Sequence, residues 1–178
     1  MEHVALTDQQ LTYLAREDPC LKPVFYGTVP CDGLPKYPIK TQPRAYIVNT
    51  DPEDKPGQHW IALWTENNVR EVMDSYGLPL DTYPQAKPLK DWVMTQWKYV
   101  VTNGRSLQGF FSQACGHYAL LYLKLKAQGG TLQDFVNFFS QYDRVKNDHQ
   151  VGEILKGLIH SIVNDMPLGG QQSCKAYK

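Results

Sequence analysis

The sequence predicts an α+β domain with a mixed, largely antiparallel central sheet flanked by helices. Three observations predict it. The middle of the chain alternates short β-branched and aromatic runs with turn-rich links, and both ends carry apolar residues at helical spacing. From Cys115 onward, Tyr118, Leu121, Tyr122 and Leu125 recur three and four residues apart, which places a buried helix against that sheet. At 178 residues the chain suits a single domain over 1–178.

In chain order, Thr7 followed by Gln10 fits a capping box, and Leu6 with Leu11 fits its hydrophobic staple, so a short helix runs from Thr7 to about Glu17. Asp18 and Pro19 stop it. Pro19 to Pro43 holds six of the twelve prolines plus Gly27 and Gly33, a composition that argues for an ordered loop rather than long regular elements. Strands are expected at Arg44–Thr50, His59–Thr65, Val69–Ser75 and Trp97–Thr102, the first three joined as antiparallel hairpins. Pro-rich Leu78–Pro88 leads to a helical turn around Leu89–Gln96. After the Cys115 helix, Gly129 and Gly130 form a stop. Thr131 caps a helix running to about Tyr142 with Phe135, Phe138 and Phe139 inward. Val151, Ile154, Leu155, Leu158, Ile159 and Ile162 mark one face of a last helix, and the glycine-rich tail from about Pro167 reads as mobile.

Eighteen basic residues balance eighteen acidic ones, so no net field attracts nucleic acid or anionic lipid. No apolar run approaches the roughly 18 residues of a membrane span, and the start MEHVALTDQQ has no signal-peptide character. Four irregularly spaced cysteines, Cys20, Cys31, Cys115 and Cys174, give no disulfide framework. These features predict an intracellular monomer that is not secreted, with reduced thiols and no metal site.

The chemistry concentrates around Cys115. It opens a helix, where free backbone N–H groups and the positive dipole end favour thiolate over thiol. Thiol catalysis also needs an imidazole, a group to orient it and a donor for the oxyanion. His59 and Asp74 lie at the ends of expected neighbouring strands, so one sheet edge can bring them together. Gln108 precedes a glycine seven residues before Cys115, and Gln113 is its competitor. An isolated buried cysteine, a solvated histidine and an aspartate in a turn are the plain alternatives, and Trp60, beside His59, fits a core position as well as a cleft wall.

Taken together, AYIVNTDPEDKPGQHWIALW, MDSYG and LQGFFSQACGHYALLYL resemble the adenovirus maturation protease (adenain) family and its virophage and Polinton-type relatives, which share a fold core with ubiquitin-like-protein proteases. The resemblance starts near Cys20 and fades over the last fifty residues. It implies a papain-like/adenain-like cysteine protease fold with the nucleophile at a helix N-terminus. His59, Asp74 and Cys115 fall on the triad, Gln108 on the oxyanion glutamine, and Trp60 on the residue after the histidine, where it narrows the cleft to glycine. It also implies a thiol endopeptidase of the infected cell and virion that cleaves viral capsid and core precursors at glycine-containing sites. Removal of ubiquitin or a ubiquitin-like modifier is the alternative, and an inactive protease-fold module the third reading. Two departures stand out. Asp74 replaces the glutamate common in adenain-like enzymes, and Ser75–Leu107 contains no cysteine to which an activating peptide could be disulfide-linked. No cofactor is therefore expected, a peptide or DNA activator lacks support from the sequence, and a non-covalent peptide activator stays open.

Overall fold

The structure is a computed structural model that describes residues 4–164 and 174–175. Its elements are α1 (Asp8–Glu17), β1 (Phe25–Val29), β2 (Arg44–Asn49), β3 (Trp60–Glu66), β4 (Val69–Met73), α2 (Lys87–Thr95), β5 (Tyr99–Thr102), α3 (Cys115–Ala127), α4 (Leu132–Phe138) and α5 (Arg144–Val163). The five strands form one mixed sheet in sequence order. The β2–β3 and β3–β4 pairs are antiparallel, and the two edge pairs, β1–β2 and β4–β5, are parallel.

Strand periodicity divides the core into two layers. Ala45, Ile47, Ala62, Trp64 and Met73 face α1, α3, α4 and α5. Tyr46, Val48, Ile61, Leu63 and Val72 point the other way, onto α2 through Leu89, Trp92 and Val93. Because β2 and β3 are covered on both faces, they read as continuous apolar runs rather than alternating ones. Helix α3 is buried on almost all sides, as its apolar sequence requires. Its close fit depends on Gly116, where an added Cβ would meet the Leu11 methyls and Trp60 Cδ1 at 3.3 Å.

The Thr7 capping box forms as expected, with Gln10 N–H donating to Thr7 Oγ1 and the Gln10 side chain accepting from Thr7 N–H. Elsewhere the structure corrects the sequence reading. The proline-rich segment contains β1, which runs from Phe25 to Val29 between Pro23 and Pro30 and carries a register shift between Phe25 and Gly27. Helix α4 ends at Phe138, whose ring is exposed while Phe135 and Phe139 are buried. On α5, Ile154 and Ile159 are exposed, while Val151 and Leu155 are buried and Leu158 and Ile162, partly buried, pack against the core. Cys20 and Cys174 form a disulfide, so the expectation of reduced thiols fails for that pair. Of the tail expected to be mobile, residues 165–173 and 176–178 lie outside the described residues. Lys175, however, is tied down, its N–H donating to Ala127 C=O at 3.1 Å and its ammonium pairing with Glu66. No helix among the described residues is long and apolar enough to cross a membrane, and no described cluster of His, Cys, Asp or Glu could hold a metal ion.

Candidate active site

Three chain segments meet at the sheet edge where β3 begins, β4 ends and α3 begins. His59 immediately precedes β3 and Asp74 immediately follows β4, so antiparallel pairing of those strands sets them side by side. His59 Nε2 lies 2.7 Å from Asp74 Oδ1, with both residues buried, at 6 % and 2 % exposure. Cys115 stands close enough to the imidazole to help raise its pKa. Cys115 is the first residue of α3, and no side chain caps that helix.

Electrostatics at His59 set two opposed effects against each other. Burial alone would push the imidazole towards neutrality. Hydrogen bonds to Asp74 and Cys115, together with the charges of both, overcome it and raise the pKa from 6.5 to about 9. The imidazole is therefore an imidazolium at neutral pH.

Asp74 is held on every side. Its Oδ1 also accepts the Tyr76 N–H at 2.9 Å, and its Oδ2 accepts the Tyr83 hydroxyl at 2.7 Å. Its own N–H and C=O are both bonded to the Asn103 amide. The His59 ring stacks with Tyr76 on one contact, centroids 4.9 Å apart, and with Tyr83 on another, at 5.5 Å. The two phenols restrict how the imidazole can turn and keep water from the ion pair. Tyr83 sits between two short 3₁₀ turns, Leu80–Thr82 and Pro84–Ala86, in the proline-rich stretch whose purpose the sequence does not reveal. No local signal points to it. Tyr76 lies two residues from Asp74 and was within reach of sequence reasoning.

Gln108 belongs to the same unit. The carbonyl of Ser75 accepts both the Leu107 and Gln108 N–H groups, at 2.8 and 3.0 Å, and Ser75 Oγ donates to Gln108 Oε1 at 2.6 Å. That contact fixes the amide orientation. Gln108 Nε2 then donates one hydrogen to Ser112 C=O at 2.7 Å, just before α3, while the other faces the Tyr76 oxygen at a loose 3.4 Å. Gln108 is buried, whereas Gln113 is exposed and lines the cleft. The structure thus joins His59, Asp74 and Gln108 directly or through Tyr76, and Cys115 lines the same cleft as His59 at the start of α3.

A cleft of about 970 Å³ opens over Cys115 and His59. Trp60 serves as both wall and core residue: it lines the cleft, packs on the main core, and its indole N–H donates to Leu6 C=O at 3.2 Å. That bond draws the segment before α1 along the cleft. His117, two residues into α3, is buried. A thiol and an imidazolium that line the cleft, with a buried carboxylate and a buried amide behind them, are the groups that nucleophilic acyl transfer requires.

Neither a protein-family profile nor a curated protein sequence matches the chain. Among solved structures, the fold matches the crystal structure of ASFV pS273R protease with a TM-score of 0.51 and 12 % identity, covering 83 % of this chain and 66 % of that one. The chain thus spans slightly less than two-thirds of that protease. The effector protein Cdu1 of Chlamydia trachomatis, solved bound to ubiquitin, aligns with a TM-score of 0.43 and 13 % identity over 93 % of this chain and 83 % of Cdu1. The α+β architecture with a five-stranded mixed sheet matches the fold of the ASFV pS273R protease.

Proposed function

We propose that the chain is a cysteine peptidase. Cys115 is its nucleophile, His59 the acid and base, Asp74 the group that orients and charges the imidazole, and Gln108 the oxyanion donor. The observation that carries the reading is the imidazole of His59, bonded to buried Asp74 at 2.7 Å and raised in pKa by Asp74 and by Cys115, which opens a helix at the same cleft. The thiolate attacks the scissile carbonyl, and the imidazolium then protonates the leaving amine. The loosely held second hydrogen of Gln108 Nε2 and the Cys115 N–H take up the oxyanion. A water activated by neutral His59 hydrolyses the thioester.

Two substrate classes suit a cleft that Trp60, which lines it, would narrow to glycine. One is the C-terminal glycines of ubiquitin or a ubiquitin-like modifier, with ubiquitin-bound Cdu1 as a structural neighbour. The other is a glycine-containing site in a viral capsid or core precursor, consistent with the viral protease of similar fold. The first assay labels the protein with an electrophilic peptide ending in glycine. Cys115 is expected to react selectively over Cys31, and Cys115→Ala to abolish turnover while leaving the fold intact. Turnover surviving in purified Cys115→Ala sinks the mechanism. Comparing a ubiquitin C-terminal fluorogenic conjugate with a glycine-containing precursor peptide then decides the substrate class.

A further inference from the structure

Helix α5 lies where the family resemblance has faded, yet it reaches the loop that carries Gln108. Asp148, 7 % exposed, accepts the Gly109 N–H through Oδ2 at 3.0 Å and Oδ1 at 3.3 Å. Its Oδ1 also accepts the Tyr118 hydroxyl at 2.8 Å. Next to it, fully buried Asn147 donates to Leu107 C=O at 3.0 Å and Ser140 C=O at 2.8 Å, and accepts from Ser140 N–H at 2.8 Å. The peptide groups on both sides of Gln108 are therefore fixed from α5, one by its carbonyl and one by its N–H. Tyr118 ties the same carboxylate to α3, one turn beyond Cys115. Gly109 makes the approach feasible, since a Cβ there would stand 2.5 Å from Asp148 Oδ2.

A carboxylate is costly to bury unless donors surround it, and bonds made to the anion are about twice as strong as neutral ones. A charge held between the nucleophile helix and the loop seven residues upstream suits the placing of Gln108 better than it suits filling space. The bonds of Asp148 run to Gly109 and Tyr118, so its effect on chemistry passes through the loop. We infer that Asp148 is a positioning residue, which holds the Gln108 amide in place for the oxyanion by anchoring Gly109; the inference rests on the proposed role of Gln108.

The test uses Asp148→Ala and Asp148→Asn, each made in the wild-type and Gln108→Ala backgrounds. Steady-state kinetics on the ubiquitin conjugate or the glycine-containing fluorogenic peptide are read with thermal melting and the rate of Cys115 alkylation by iodoacetamide. Asp148→Ala is expected to lower kcat by about 10–100-fold with KM within about threefold, because a displaced oxyanion donor is felt mainly in the transition state. Alkylation, which needs the thiolate but no oxyanion, stays within about twofold. Asp148→Asn keeps an oxygen for Gly109 and recovers to within about fivefold of wild type. In Gln108→Ala, adding Asp148→Ala costs less than about threefold, the non-additivity of two changes acting on one group. Gly109→Ala, which retains both partners but forces them apart, reproduces the kcat loss if Asp148→Ala proves too unstable to assay. The inference is overturned if Asp148→Ala costs the same in both backgrounds, or if alkylation falls in step with kcat. If Gln108→Ala alone leaves kcat unchanged, the role of Gln108 fails, and the inference falls with it.

Discussion

Replacing Asp74 by Asn keeps the size of the side chain and removes its charge. In the native site the imidazolium has a pKa of about 9 against an ordinary 6.5. The difference corresponds to about 3 kcal/mol of net preference for the charged ring, shared between Asp74 and Cys115 and already reduced by burial. With Asp74 neutral, only the Cys115 contribution opposes burial, and the pKa falls towards the ordinary value. At pH 7.5 about 97 % of His59 is protonated in the native site, and a fall to an ordinary pKa of 6.5 would leave about 10 %. Two readouts follow. The alkaline limb of kcat/KM, near pH 9 in the wild type, moves to lower pH, with a loss of up to about tenfold at pH 7.5. Histidine-selective NMR shows the same displacement of the His59 titration. The linkage sign is fixed by the raised folded pKa: the stabilisation is complete below pH 6.5 and disappears as pH rises through about 9. The Tm difference between wild type and Asp74→Asn therefore narrows across that interval. A limb and an NMR titration that both stay near pH 9 in Asp74→Asn refute the reasoning.

Other perturbations test other parts of the site. Gln108→Ala should lower kcat by about 10²–10³-fold with little change in KM, and Gln113→Ala should stay near wild type; steady-state kinetics showing the reverse would move the oxyanion role to Gln113. His59→Ala should abolish turnover, whereas His117→Ala should lower Tm through its buried position and leave kcat within about threefold; loss of kcat in His117→Ala with His59→Ala active would refute the imidazole assignment. Gly77 has φ +67°, and a Cβ there would stand 2.3 Å from the Arg105 carbonyl carbon. Gly77→Ala should cost about 1–3 kcal/mol in urea denaturation and also lower kcat, because it separates the Asp74 turn from the Gln108 loop; wild-type stability would show that the turn tolerates the strain.

Local and periodic features were legible in the sequence. Thr7 and Gln10 cap α1 by contacts three residues apart, β2 and β3 declare themselves by β-branched and aromatic runs, and α3 by its apolar spacing. The candidate groups followed from the same locality. His59 and Asp74 flank consecutive antiparallel strands, a pairing that a short link dictates, and Cys115 sits where a helix must start. What depended on distant contacts was not legible. Strand β1 exists because it pairs in parallel with β2 across the proline-rich connection, and Pro23 and Pro30 at its margins conceal it. The Cys20–Cys174 disulfide spans 154 positions, a proximity no spacing rule supplies. Tyr83 reaches Asp74 from a stretch with no periodicity, and Asp148 reaches Gly109 from a helix 39 residues away. The sequence determined which residues could do the chemistry, because residue type and short-range pairing are local properties. Only the tertiary structure decided which groups fix Asp74 and Gln108 in place, because a buried polar atom takes its partner from whichever segment packs beside it.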